Sequence, residues 1–163
     1  MGSHIHITPQ YKFNNNNQID SDNLLTEELI KEILDNSVTR IKICLYTKIP
    51  AITYEVLNDK ILAIKPEIEL RIYGGQIDPK YLNKLTKVNS ISIDYASFSK
   101  APSFESMKNL TSLAIEIDDL ADYNFLNTVT EKLTSLSISS YATEYDKIDI
   151  SVIQRFKELK FLY

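Results

Sequence analysis

One phrase recurs along this chain: apolar, two variable residues, apolar, one variable residue, apolar. It reads Val88-x-x-Ile91-x-Ile93, Leu110-x-x-Leu113-x-Ile115 and Leu133-x-x-Leu136-x-Ile138. Its middle apolar residue falls at 91, 113 and 136, spacings of 22 and 23 residues. One short strand and one return segment fill such a period, and units of that size stack on one another. The pattern therefore predicts a solenoid that buries each repeat against the next and leaves a long strand face outward, an architecture suited to binding.

Two earlier phrases, Val38-x-x-Ile41-x-Ile43-x-Leu45 and Ile68-x-Leu70-x-Ile72, extend the series, and Leu159-x-x-Leu162 begins a sixth. Glu67 occupies the opening apolar place of the second phrase, and 29 residues separate Ile41 from Leu70. That longer interval, with Pro50 and Pro66, leaves room for an extra strand or helix around 54–64. The returns carry helix-start signals. Asp78-Pro79 precedes Tyr81, Leu82 and Leu85; Ser103 precedes Phe104, Met107 and Leu110; Asp122 precedes Phe125, Leu126, Val129 and Leu133; Asp149 or Ser151 precedes Ile153, Phe156 and Leu159. Strand and helix in alternation predict an α/β fold, with a parallel sheet on one face and short helices on the other.

Leu25, Leu29, Ile30, Ile33 and Leu34 fall on one helical face, with Asp22 or Thr26 as N-cap. The segment 21–36 is expected to be an N-terminal helix capping the first repeat. The domain then runs over 21–163, with 38–163 forming about five strand-helix repeats and a final strand. Residues 1–20 read as a flexible leader with an asparagine run at Asn14–Asn17, and Met1-Gly2-Ser3-His4 looks like an expression-vector remnant.

The near-duplicates Leu110-Thr111-Ser112-Leu113-Ala114-Ile115 and Leu133-Thr134-Ser135-Leu136-Ser137-Ile138 resemble the leucine-rich repeat family over roughly residues 38–163. The family pattern continues to an asparagine or cysteine three residues on, where this chain has Tyr46, Gly75, Ala96, Asp118 and Tyr141. The resemblance thus implies an irregular relative without the buried asparagine ladder. It also implies a curved solenoid that recognises proteins through its strand face.

Composition narrows the partner. A formal net charge of −4 disfavours nucleic acid and anionic membrane surfaces, which need basic stripes. No apolar run approaches the roughly 20 residues of a membrane span, so membrane insertion is not expected. The single cysteine, Cys44, excludes an internal disulfide framework and a cysteine zinc site. A cytoplasmic setting is expected, with a signal peptide replaced by the vector remnant as the open alternative.

Period-two alternation assigns the outward strand positions. They read Arg40, Lys42, Cys44; Glu69, Arg71, Tyr73; Ser90, Ser92, Asp94; Ser112, Ala114, Glu116; Ser135, Ser137, Ser139. The face is expected to run from basic through acidic to small-polar, with Tyr46, Tyr73, Tyr95 and Tyr141 near strand ends as aromatic anchors. The candidate partner-binding residues are Arg40, Lys42, Glu69, Arg71, Tyr73, Asp94, Tyr95, Glu116, Asp118, Ser137 and Tyr141.

Catalytic readings are weaker. Cys44 lacks a placed base, because the only histidines, His4 and His6, lie in the leader. Gly74-Gly75 lacks the spacing and lysine of a phosphate loop and reads as a tight turn. Asp118, Asp119 and Asp122 are read as capping and solvated residues before a calcium site, and His4-x-His6 before a metal pair. No cofactor or metal is expected. The leading expectation is a non-enzymatic immunity protein that occludes a bacterial toxin, with Glu69, Asp94, Glu116 and Asp118 meeting a basic toxin surface. The asparagine-, isoleucine- and lysine-rich composition fits an AT-rich bacterial genome. A surface or secreted adhesion module, an enzyme using Cys44, and self-association through the edge at Leu159 to Tyr163 are the alternatives.

Overall fold

The computed structural model describes residues 3–7, 24–45, 49–116, 123–139 and 151–163. Among them seven strands form one sheet: β1 (Ser3–Ile7), β2 (Val38–Cys44), β3 (Glu69–Ile77), β4 (Ser90–Phe98), β5 (Ser112–Glu116), β6 (Ser135–Ser139) and β7 (Phe161–Leu162). Their order in the sheet is their order in the chain, and every neighbouring pair is parallel. The class is α/β with a parallel sheet, as the alternation predicts.

The register stacks the apolar phrases. Ile5, Ile41, Leu70, Ile91, Leu113, Leu136 and Leu162 stand in one column, and Ile7, Ile43, Ile72, Ile93, Ile115 and Ile138 in the next. From Ile41 to Leu136 the first column is buried, as is the second from Ile7 to Ile115. Each such side chain contributes about 1.5–3 kcal/mol by leaving water, so a one-residue slip would be prohibitive.

Two expectations about the start of the chain need correction. Ser3–Ile7, read as part of a flexible leader, is strand β1 and pairs with β2. Its alternation sends Ile7 into the core. Helix α1 (Glu27–Asp35) lies between β1 and β2 in the chain, so it is a crossover rather than a cap on a bare end. Thr26 is its N-cap, accepting a hydrogen bond from the Leu29 amide, and Ile30 and Ile33 are buried.

The return from β2 to β3 is the longest of those that follow β2. Helix α2 (Ala51–Val56) runs directly into a π-helical turn, Leu57–Leu62, which accounts for the 29-residue interval. Its buried Asn58 accepts from the Lys87 amide at 2.9 Å and so joins this return to the next. Beyond β3, Asp78 caps a helix of only four residues, α3 (Pro79–Leu82).

The later returns are less helical than the start signals imply. Residues 103–110 hold turns, and Asn124–Thr128 and Ser151–Arg155 are single 3₁₀ segments. Their buried or half-buried apolar residues fall three apart: Leu82, Leu85, Val88; Phe104, Met107, Leu110; Leu126, Val129; Ile153, Phe156, Leu159. Amides bond three residues back along each series, as in Leu85 to Leu82, Leu110 to Met107, Val129 to Leu126 and Leu159 to Phe156. A three-residue turn rises about 2.0 Å per residue against 1.5 Å for an α-helix. It therefore reverses a five-residue strand in fewer residues while keeping one apolar row inward.

Gly74-Gly75, read as a tight turn, lies inside β3 and bends it without ending it. Gly74 (φ 68°) and Gly75 (φ 83°) occupy the left-handed region, and so does Tyr95 (φ 50°) in β4. The register runs Tyr73 with Asp94, then Gly75 with Ala96, so Gly74 and Tyr95 form matched irregularities in adjacent strands.

Candidate protein-binding face

Behind the buried columns, the outward residues also form rows. One runs His6, Lys42, Arg71, Ser92, Ala114, Ser137, and another Cys44, Tyr73, Asp94, Glu116, Ser139. A third starts at His4, Arg40 and Glu69 and is carried on by Ser90, Ser112, Ser135 and Phe161. The face therefore includes β1, whose histidines stand beside Arg40 and Lys42.

Arginine and carboxylate alternate across the first strands. Arg40 donates through Nε to Glu69 Oε2 at 2.7 Å, and its Nη2 reaches the same oxygen. Arg71 donates through Nε to Asp94 Oδ1 at 2.9 Å and through Nη2 to Oδ2. This second pair is a bidentate fork, the geometry in which arginine and carboxylate bind best. Asp94 is only 5% exposed, and its hydrogen bonds raise Arg71 above the ordinary guanidinium pKa against the opposing effect of burial. The Arg71 guanidinium also lies 5.3 Å from the centre of the Tyr73 ring.

Beside these pairs the floor drops to small side chains, Ser92, Ala114 and Ser137. The resulting groove holds about 200 Å³, with Arg71 and Asp94 toward one end and Glu116 and Ser139 toward the other. At the strand ends Tyr95 is 60% exposed. A bulky residue at positive φ is a steric outlier, and here it projects the ring out of a strand in which Asp94 before it and Ala96 after it are buried.

The structure thus places Arg40, Lys42, Glu69, Arg71, Tyr73, Asp94, Glu116 and Ser137 on one face, with Tyr95 at its strand-end margin. Asp118 and Tyr141, together with Tyr46, Asp119 and Asp122, lie outside the described residues. The pairing was hidden in the sequence. Glu69 and Asp94 read as free acidic charges there, whereas both are spoken for by arginines one strand away. Lys42, Arg40 and Arg71 then balance Glu69, Asp94 and Glu116, so the described face carries as many cations as anions.

Cys44 stands in the row beside Tyr73 and is half-buried. Among the described residues, no three His, Cys, Asp or Glu side chains gather as metal ligands, and no helix is long and apolar enough to cross a membrane. No protein-family model matches the chain, and comparisons with curated proteins and with solved structures found no similar protein.

Proposed function

We propose that this protein is a non-catalytic protein-binding module, an irregular leucine-rich-repeat-like solenoid that acts as an immunity protein by covering a toxin. The observation that carries the reading is the preformed outward face: a small-residue groove flanked by the Arg71–Asp94 fork and by Tyr73. Its charged groups are already oriented and, at Asp94, already desolvated. A partner docking there loses less freedom and less hydration than it would on a mobile charged surface.

Area shapes the proposal further. Seven strands about 4.8 Å apart and about 17 Å long offer roughly 500 Å², short of the roughly 800 Å² per partner of a standard interface. The margin beyond the matched irregularity of Gly74 and Tyr95 must therefore contribute, and Tyr95 stands there as the aromatic anchor. Because Glu69 and Asp94 are ion-paired, electrostatic steering toward a basic toxin surface falls to the overall net charge of −4.

The test is site-specific photocrosslinking with benzoyl-phenylalanine at position 95, and separately at Lys157 on the return side, in lysate of the source strain. The reading expects one stoichiometric partner captured from position 95 only, whose purified enzymatic activity the protein abolishes. Glu116→Lys should slow association several-fold at low salt. Capture from position 157 alone, or a partner whose activity is untouched, would overturn it. A second reading, self-association, is favoured by the exposed Phe161 and Leu162 of edge strand β7 and the exposed Tyr163 that follows it. Light scattering across a dilution series, with Phe161→Lys as control, separates the two.

A further inference from the structure

A second surface lies where the strands begin, away from the outward face. The segments leading into β3, β4, β5 and β6 enclose a cleft of about 400 Å³. One wall is apolar, built from Ala63 and Pro66, and Ile64 between them in sequence is 63% exposed. Lys87 and Lys132 line it, together with the amide side chains of Asn89 and Asn109.

These two lysines differ from others in the chain. Lys60, Lys80 and Lys84 are each held by a carboxylate, from Glu27, Asp78 and Glu55 respectively. Neither Lys87 nor Lys132 has an ion-pair partner among the described residues. The carboxylate nearest Lys132 in sequence, Glu131, is directed to Arg155 at 3.6 Å. A chain of net charge −4 thus presents two uncompensated ammonium groups into one cleft, with amide donors between them.

We propose that this cleft is a docking site for an acidic peptide segment of a partner protein, one with two carboxylates flanking an apolar side chain. Lys87 precedes β4 and Lys132 precedes β6, two inter-strand steps or about 10 Å apart. A peptide in the polyproline II conformation, with three residues per turn, places residues i and i+3 on one face at about that distance, and an apolar residue between them, turned away from that face, meets the Ala63–Pro66 wall. A continuous polyanion fits less well, because it needs a row of cations and would face net negative charge elsewhere on the protein.

Amide-resolved NMR titration of the whole chain tests this, with acetyl-Glu-Ala-Leu-Glu-amide in 50 mM salt and the Gln-Ala-Leu-Gln peptide as comparison. The acidic peptide should shift the amides of Lys87, Asn89, Asn109 and Lys132, and the double variant Lys87→Gln, Lys132→Gln should weaken binding by about 10-fold. Both lysines are exposed, so the variant keeps the fold, which circular dichroism checks. Three results would each overturn the proposal. One is no shift of these amides at millimolar acidic peptide. Another is equal shifts from the neutral peptide or from inorganic phosphate. The third is concentration-dependent shifts without peptide, which would assign the cleft to a second copy of the chain.

Discussion

Gly75→Ala should be among the most damaging single-methyl additions available in this protein. A Cβ built at position 75 lies 2.6 Å from the Leu45 carbonyl oxygen, 3.1 Å from its carbon and 3.3 Å from the Leu45 Cβ. All but the last are backbone atoms, and they cannot swing aside. The Leu45 amide also donates to the Tyr73 carbonyl at 2.9 Å, so moving Leu45 away costs that bond, about 1 kcal/mol. Holding alanine at φ 83° adds about 1–2 kcal/mol. The total is on the order of 3 kcal/mol, equivalent to a fall of roughly 6–12 °C in Tm for a chain of this size. Urea denaturation followed by far-ultraviolet circular dichroism measures it. Tyr95→Gly at the matched position should act oppositely. It relieves about 1–2 kcal/mol of left-handed strain and gives back about 0.5–1 kcal/mol in unfolded-state entropy, for a net gain on the order of 0.5–1 kcal/mol. A loss below 1 kcal/mol for Gly75→Ala, or a Tyr95→Gly variant less stable than the parent, would refute this account of the matched irregularities.

Asp94→Asn keeps the shape of the fork but removes its charge, and should cost about 2 kcal/mol in urea unfolding because Asp94 is buried while Arg71 keeps some access to water. Thr134→Val removes the hydroxyl that donates to the Thr111 carbonyl at 3.0 Å and should cost about 1 kcal/mol, with Thr134→Ser close to the parent. Tyr54 gives a pH dependence. Burial first, and Tyr81 second, raise its phenol above the ordinary value of about 10, so the folded state holds the proton more tightly than the unfolded chain. That stabilisation is fully present below pH 10 and is lost as pH rises above it. Tyr54→Phe should flatten this alkaline decline in Tm.

The sheet was legible because its signal is redundant. Each strand phrase repeats the same two inward residues, and stacking in register turns five weak local patterns into one column. The returns were less legible because the apolar residues at 104, 107 and 110 satisfy an α-helical face and a 3₁₀ row equally well over so short a span. Strand β1 carried its signal openly in the alternation of His4, Ile5, His6 and Ile7. It was masked by its likeness to a vector remnant. The duplicated phrase also carried a hydrogen-bond signal in plain view: Thr111 donates to the Asn89 carbonyl at 3.1 Å and Thr134 to the Thr111 carbonyl at 3.0 Å. The duplicated Leu-Thr-Ser-Leu is thus an inter-repeat hydrogen-bond device as well as a packing one.

Side-chain pairing was the part that no linear reading could supply. Arg71 and Asp94 are 23 residues apart, Arg40 and Glu69 are 29, and whether they meet depends on the register to within one residue. Register also decides what those charges do. Had β4 been shifted by two residues so that Asp94 stood opposite Gly75, it would leave its position diagonal to Arg71, and the face would lose the fork. In the observed register the pairs instead stiffen adjacent strands, and much of the rest of the face is uncharged or aromatic: the serine and alanine floor, Tyr73 and Tyr95, with Lys42 and Glu116 beside them. Selectivity on such a face comes from shape and buried aromatic area more than from net charge. Two ammonium groups without an ion-pair partner among the described residues share one cleft at the rim where the strands begin, those of Lys87 and Lys132. Salt should therefore separate the two surfaces, weakening an acidic peptide at the rim steeply while leaving the off-rate of a partner on the sheet face nearly unchanged.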